Sequence, residues 1–381
     1  MTRARSSPHR GRPGSPLPRG GYRAAVIPEV LADAVAGAWT TTWPVLAFLL
    51  VITVVSDLCA DVRLFEVAAS AVARLARGRT PLLFAAHCLL ATLTTVLLGI
   101  DTTAVMLTPV SLALATQVGV APLPFAFATL WLANGASLLL PISNLTNLLA
   151  VERTGQSAGA FVADLWLPQL VVLAVVVTVL ALRHRAALAG TYVVPRTRPS
   201  YDAVLVAGGA LVAVGIAVAT VLGAAAWLAA TGGLVVLVAL AAVRAPALVA
   251  PRRLLRSVPA VILLATFALF TLVELGLRLV DVDRIDWSGP VAAAVGAAVL
   301  SNAVDNLPAW LALAPLTDAS LQPALLVGAN TGGMLLLWGS LANLLWRRRC
   351  RMAGLHVGWV QFLREGLLVV PLCVLLGALV A

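Results

Sequence analysis

Two polar stretches interrupt an otherwise apolar chain, and they constrain its fold more than any other feature. The first, Asn134 to Leu149, reads NGASLLLPISNLTNLL, and the second, Asn330 to Leu345, reads NTGGMLLLWGSLANLL. Aligned at an offset of 196 residues, the two stretches are identical at 7 of 16 positions. Lipid offers no hydrogen-bond partner to backbone or amide groups, so such stretches must be held by protein or line a cavity. Helix-interrupting segments in corresponding places of two halves are typical of a transporter's binding site.

The composition places the chain in the membrane. Of its 381 residues, 61% are hydrophobic and 11% are charged, whereas a soluble domain carries about a quarter charged residues. The net charge of +10 comes from Arg residues at the ends of apolar segments, which is the positive-inside pattern of a membrane protein and argues against a nucleic-acid binder. The 4 cysteines form no CxxC pair, and we expect no metal site and no bound cofactor.

The chain divides into a tail and two membrane halves. Residues 1–23 carry Arg among Pro, Gly and Ser and are predicted to form a disordered basic tail. Residues 24–200 are predicted to form a first membrane repeat with a connecting loop, and residues 201–381 a second. Residues 24–40 are mildly apolar and short for a membrane span, so the first clear span is expected from Trp43 to Asp61.

Polar residues also break one apolar segment in each half. One break is Asp101-Thr102-Thr103, and the other runs from Ser301 to Asn306. Each broken segment could form two spans or one re-entrant hairpin, and hydropathy alone does not decide between them. If both are hairpins, the Arg clusters between 74 and 79, 183 and 198, 244 and 256, and 347 and 351 fall on one side, which would be the cytoplasmic one. The two halves then have inverted orientations.

Asp101 and Asp305 need a physical reason to lie in apolar segments, because a charge at the bilayer centre costs about 2.5–3.5 kcal/mol on insertion scales. One reason is helix capping, in which each carboxylate accepts from free N–H groups of a half-helix. The other is proton coupling, because partial removal from water favours the protonated carboxyl. Both interpretations are kept for both residues. Asp57 and Glu274 are expected at the ends of spans, where charges are usually interfacial.

The polar stretches themselves supply the candidate substrate ligands. Asn134, Asn147, Asn330 and Asn343 could bind a hydroxylated or anionic substrate through hydrogen bonds, or could fasten the helix breaks to neighbouring helices. The helix-breaking residues are the stronger candidates for substrate contact, because a break exposes half-helix N-termini that favour electron-rich oxygen. These residues are Ser143, Asn144, Gly339 and Ser340.

Several motifs, in order and with matching spacing, resemble the ArsB arsenite/antimonite efflux family of the ion transporter superfamily. They are RLARGRTPLLF, DTTAVMLTP, PISNLTNLL, SNAVDNLPA and GSLANLLW, and the resemblance covers roughly residues 41–381. The resemblance implies an all-α polytopic membrane protein with two inverted repeats, each containing a re-entrant hairpin and a discontinuous transmembrane helix. By the same comparison, the hairpin tips would include Thr102, Thr103, Ser301, Asn302 and Asn306.

The resemblance also implies a function and a location. Members of the family export trivalent arsenic or antimony hydroxides or oxyanions in exchange for protons, from the plasma (inner) membrane and without a cofactor. A homodimer and an ATPase subunit are partners that the resemblance allows, alongside the lipid. This chain departs from the family at both tips, where Ile100-Asp101 stands for Asn-Asp and Asp305-Asn306 stands for Asn-Asn.

Two other interpretations stay open at the level of sequence. A sodium/proton antiporter, or a sodium-coupled anion or carboxylate transporter of the same superfamily, is the nearer alternative. The other alternative is a membrane-embedded enzyme built around Asp281-Val282-Asp283, a D-x-D pattern that would hold a divalent metal. That pattern is short and lies in a predicted loop, and the chain shows no HExxH motif. We therefore expect a transporter and no catalytic residues.

Overall fold

The computed structural model describes residues 21–195, 199–279 and 284–381, and these fold into helices. In the first half, long helices alternate along the chain with short helices, which turn the chain or form the arms of a hairpin. Their bounds are α1 Gly21–Asp61, α2 Leu64–Leu75, α3 Thr80–Leu98, α4 Ile100–Thr102, α5 Thr108–Gln117, α6 Pro122–Gly135, α7 Leu145–Thr154, α8 Ala158–Arg183 and α9 Arg185–Leu188.

The second half repeats the hairpin, the broken helix and the closing long helix of the first. Its helices are α10 Ala203–Val221, α11 Ala226–Arg244, α12 Pro251–Arg256, α13 Ala260–Leu279, α14 Pro290–Val304, α15 Asn306–Leu313, α16 Gln322–Gly332, α17 Leu341–Met352 and α18 Trp359–Ala378. Within the described residues, 7 helices are long and apolar enough to cross a membrane. The protein is therefore a multi-pass membrane protein.

The two apolar segments that are interrupted at Asp101-Thr102-Thr103 and at Ser301 to Asn306 each form a re-entrant hairpin. In the first hairpin, α3 and α5 both pack against α2, and the Thr95 hydroxyl donates to the Thr103 hydroxyl across the two arms at 2.9 Å. In the second, the N–H of Ile285 donates to the carbonyl of Leu316 at 2.9 Å, so the start and the end of the segment meet. The hairpin prediction is confirmed.

The two hairpins enter from opposite sides. On the Arg-rich side, Arg253 pairs with Asp61 at 2.6 Å and Arg244 pairs with Asp202 at 2.7 Å. The Asp202 carboxylate also caps α10, and its hydrogen bond with Arg244 holds its pKa below the usual range. The second hairpin starts and ends on the far side of α13, beside the ion pair of Arg284 with Asp318 at 2.8 Å. The halves are inverted repeats, as predicted.

The polar stretches form the interruptions of two discontinuous helices. The chain leaves helical geometry between α6 and α7 and between α16 and α17, because Pro141 in one break and Gly333 and Gly339 in the other favour turns over a continuous helix. Asn144 and Ser340 stand 196 residues apart and both take extended backbone as the N-caps of α7 and α17. The predicted helix interruptions are therefore confirmed in position.

The N-terminal region differs from the sequence-based expectation. Residues 24–40 do not form a separate short segment but continue directly into the first span, as the 41-residue helix α1. The apolar residues of 24–40 are extended by Trp43–Asp61, and one long helix satisfies its backbone internally. Residues 1–20 of the predicted tail, and the Asp281-Val282-Asp283 pattern, lie outside the described residues.

Candidate functional site

A cavity of about 350 Å³ lies where the two hairpin tips meet the two helix breaks. Both halves contribute to its lining, which includes Asp101, Ser143 and Asn144 from the first and Asp305 and Ser340 from the second. Residues more than 200 positions apart in the chain, such as Asp101 and Asp305, thus share one cavity. The sequence predicted that these segments would meet, and the structure brings these five residues together.

The first tip is built on a glycine turn. Gly99 has φ of 88° and ψ of 172°, a conformation that lets α3 stop and α4 begin at a sharp angle. The hydroxyl of Thr102 donates to Ser56 of α1 at 2.8 Å, which ties the tip to the first span. Asp101 follows within the same turn and faces the cavity.

The second tip makes the same turn without a glycine. Asp305 has φ of 99° and ψ of 154°, a region that is otherwise almost restricted to glycine and costs about 1–3 kcal/mol for other residues. Its carboxylate accepts from the N–H of Leu307 at 3.2 Å and so caps α15. The N–H of Leu341, the first residue of α17, faces the same carboxylate. Asp305 thus lies at the N-terminal ends of two half-helices, as the capping interpretation expects.

The two tips therefore correspond through Gly99 and Asp305. The backbone conformations set Gly99 against Asp305, and therefore Asp101 against Leu307. The two carboxylates are not symmetry mates, because one follows its turn by two residues while the other forms the turn itself. They occupy different environments in one cavity.

Four buried asparagines fasten the two breaks, and their bonds follow a pseudo-twofold pattern. The amide of Asn147 donates to the carbonyls of Ser137 and Leu140 at 2.6 and 3.1 Å. At the positions 196 residues later, the amide of Asn343 donates to the carbonyls of Gly333 and Leu336 at 2.8 and 3.0 Å. Each side chain thereby satisfies carbonyls that the interrupted helix leaves free.

The remaining two asparagines bridge the repeats. The amide of Asn330 donates to Asn147 at 3.0 Å, and the amide of Asn134 donates to Asn343 at 3.4 Å. All four are 0% exposed, and none of the four lines the cavity. Of the two interpretations of these asparagines, the structure supports the one in which they fasten helix breaks.

Other predicted residues are also engaged within the protein. The Ser143 hydroxyl donates to the Val96 carbonyl at 2.9 Å, although Ser143 lines the cavity. Gly339 lies outside the lining and packs against Gly333, where a Cβ would come within 2.6 Å of a carbonyl oxygen. Asn302 joins its hairpin to the second break by donating to the Gly332 carbonyl at 2.7 Å.

The hairpin-tip residues separate into two groups. Thr102 and Asn306 line the cavity, whereas Thr103 and Ser301 are buried in contacts between helices. Ser301 donates to the carbonyl of Ala329 in α16 at 3.3 Å. Sequence position alone placed these residues at the tips, and only packing distinguishes the lining residues from the structural ones.

One face of α1 belongs to the site and was missed by the sequence reasoning. Thr53, Ser56 and Asp57 line the cavity, although Asp57 was expected at a span end as an interfacial charge. The spacing i, i+3, i+4 places all three side chains on one helix face, and that signal could have identified them. With Asp101 and Asp305, Asp57 gives the cavity three carboxylates, and no Arg, Lys or His among the described residues lines it.

The fold and the cavity together define a membrane transporter built on inverted repeats. The chain is similar to a solved structure, the YdaH transporter of Alcanivorax borkumensis, with a TM-score of 0.59 over 95% of this chain and 89% of that one. The two sequences are 16% identical, so this likeness concerns the fold alone.

Sequence comparisons identify the family. The model of the citrate transporter family, CitMHS, matches residues 21–326, and the chain belongs to this family. The chain is also 28% identical to an arsenical pump membrane protein of Yersinia enterocolitica, over 87% of this chain and 84% of that protein. An arsenical pump membrane protein of Escherichia coli is 27% identical over 86% of this chain and 83% of its own length. The expected resemblance to arsenical pumps is confirmed.

Proposed function

We propose that this protein is a secondary transporter of the plasma membrane that exports arsenite and antimonite in exchange for protons. The observation that carries the proposal is the cavity shared by the two repeats, with Asp101, Asp305, Asn144 and Ser340 in its lining. The similarity to arsenical pump membrane proteins over most of the chain supports the choice of substrate.

The charge of the lining favours a neutral substrate. Arsenite and antimonite exist at neutral pH mainly as uncharged trihydroxides, which both donate and accept hydrogen bonds. Hydroxyl, amide and carboxylate groups in the cavity match that chemistry. A carboxylate substrate would instead meet three acidic side chains with no basic residue among the described lining, and like charges repel strongly in a low-dielectric site.

In this proposal the two carboxylates at the hairpin tips, Asp101 and Asp305, have different roles. Asp305 is held by the N–H of Leu307 and forms the turn of its hairpin, so its main task in the proposal is to cap α15. Asp101 makes no hydrogen bond to any of the described residues and faces the cavity. A carboxylate without fixed donors can exchange a proton with less reorganisation, so Asp101 is the proposed coupling residue.

Uptake into everted membrane vesicles tests the proposal. With an acidic lumen, wild-type protein is expected to accumulate arsenite, and Asp101→Asn is expected to reduce uptake to the level of vesicles without the protein. Asp318→Asn is the matched control, because Asp318 lies in an exposed ion pair away from the cavity. Sodium-driven uptake by the wild type, or full uptake by Asp101→Asn, would contradict the proposal.

Membership of the citrate transporter family favours a second candidate, the sodium-coupled transport of an anion or carboxylate. The same vesicles distinguish the two candidates when radiolabelled citrate is offered with a sodium gradient. Citrate uptake that depends on sodium and not on the pH gradient would contradict the first proposal and support the second candidate. Exchange of sodium for protons without either solute would instead indicate the antiporter of the same superfamily.

A further inference from the structure

The pseudo-twofold pattern around the helix breaks fails at one place. In the first repeat, the side-chain oxygen of Asn330 accepts from the amide of Asn144 and from the hydroxyl of Thr146, both at 2.9 Å. The positions 196 residues later hold Ser340 and Ala342. The serine side chain is shorter than asparagine and the alanine has no hydroxyl, so both donors are lost in the second repeat.

The symmetry mate of Asn330 is left without a donor. Asn134 is 0% exposed, and its side-chain oxygen has no hydrogen-bond partner. Its orientation is fixed by the surrounding bonds, because the amide nitrogen donates to the Leu130 carbonyl at 3.1 Å and a flipped amide would set two oxygens together. Because burying an acceptor without a partner is destabilising, a donor from outside the chain would stabilise this side chain.

The two positions that lack the donors belong to the lining of the cavity. Ser340 and Ala342 both line it, and the Ser340 hydroxyl makes no capping bond to α17. In the first repeat, Asn144 also lines the cavity but is committed to Asn330, and Ser143 is committed to the Val96 carbonyl. The Ser143 and Asn144 side chains of the first break thus bond within the protein, whereas the Ser340 side chain of the second break makes no capping bond.

We propose that the substrate binds asymmetrically, at the second helix break, where one of its hydroxyl groups donates to Asn134 and is contacted by Ser340. The substrate hydroxyl takes the place that the Asn144 amide and the Thr146 hydroxyl occupy in the first repeat. This inference rests on the proposed function for the identity of the substrate, a trihydroxide with O–H groups to donate. The unpartnered acceptor is independent of that identity.

Variants that restore the symmetry test the inference. Ser340→Asn and Ala342→Thr each return one donor of the first repeat, and Ala342→Val has the shape of threonine without its hydroxyl. Asparagine is also a good N-cap, so Ser340→Asn keeps the start of α17. Without ligand, Ser340→Asn and Ala342→Thr are expected to have higher melting temperatures than the wild type, because the buried oxygen of Asn134 gains a donor. For the same reason, the melting temperature of Ala342→Thr should exceed that of Ala342→Val.

Binding of sodium arsenite and of potassium antimonyl tartrate to purified protein gives the second readout. Each repaired variant is expected to bind arsenite about tenfold more weakly than the wild type, the equivalent of one hydrogen bond. Thr146→Ala removes a donor from the first repeat only and is expected to lower the melting temperature while arsenite affinity stays unchanged.

The outcomes separate the two proposals. Wild-type affinity in both Ser340→Asn and Ala342→Thr, with no rise in melting temperature over Ala342→Val, would overturn the asymmetric site. If the wild type binds neither arsenite nor antimonite, the proposed function and the identity of the ligand both fail. The melting temperatures of the ligand-free variants then still report whether Asn134 is a free acceptor.

Discussion

At the scale of single residues, the two hairpin tips make the same positive-φ turn with different residues, Gly99 in one and Asp305 in the other. Gly99 adopts its positive φ without steric cost, whereas Asp305 adopts nearly the same conformation against the preference of any residue with a Cβ. The carboxylate of Asp305 offsets part of that strain by accepting from the N–H of Leu307. A strained residue that caps a half-helix in a cavity is typical of a functional site.

The strain and the cap can be separated by substitution. Asp305→Ala loses the capping bond and keeps the strain, whereas Asp305→Gly loses the bond but relieves the strain. We expect the glycine variant to be the more stable of the two by about 1–3 kcal/mol, measured as thermal unfolding in detergent. Ala309→Gly, within α15, serves as the control and should destabilise, because glycine weakens a helix interior. Equal stability of the two Asp305 variants would show that the turn is not strained.

At the scale of elements, small residues set how closely the second hairpin and its broken helix approach. A Cβ on Gly328 of α16 would lie 2.0 Å from the carbonyl oxygen of Ala294 in α14, and one on Gly332 would lie 2.3 Å from Ala298. The two glycines are four residues apart and form a small-residue stripe of the kind that lets membrane helices pack closely. This contact holds the hairpin against the break that lines the cavity.

Adding one methyl group at that contact should be costly. Gly328→Ala is expected to lower the melting temperature, because the methyl group meets backbone that cannot move aside, and overpacking typically costs about 1–3 kcal/mol. Gly215→Ala in α10 is the matched control, since nothing lies within 4 Å of its added Cβ and alanine favours a helix. If the two variants have the same melting temperature, the close approach of α14 and α16 does not contribute to stability.

At the scale of the whole molecule, the inverted repeats require the Arg-rich ends to share one face of the membrane. Arg256 ends α12, three residues after Arg253, which pairs with Asp61 on that face. Asp318 pairs with Arg284 beyond the opposite end of α13. All 4 cysteines are buried, which gives little background for labelling with a thiol reagent.

Cysteine labelling checks this topology. With a membrane-impermeant maleimide, Asp318→Cys is expected to react in intact cells, and Arg256→Cys only in everted vesicles, because the positive-inside rule places the Arg side in the cytoplasm. The wild type provides the control for unspecific reaction. Labelling of both variants from the same side would contradict the inverted arrangement.

The sequence by itself determined the class, the repeat and the positions of the breaks. These follow from local patterns, because lipid tolerates only helices with satisfied backbones, and polar or Pro- and Gly-containing runs mark where a helix stops. The continuity of α1 was missed because mildly apolar residues 24–40 give a weak signal until the neighbouring span extends them.

Only the tertiary structure decided what each polar residue does. Asn134 and Asn343 are 209 residues apart, and nothing in either segment alone distinguishes an asparagine that fastens a break from one that lines a cavity. The inclusion of Asp57, the pairing of Gly99 with Asp305 and the free acceptor on Asn134 depend on the same long-range packing. Hydrophobic patterning selects helices locally, but the partner of a buried hydrogen-bonding group is set by whatever the fold brings beside it.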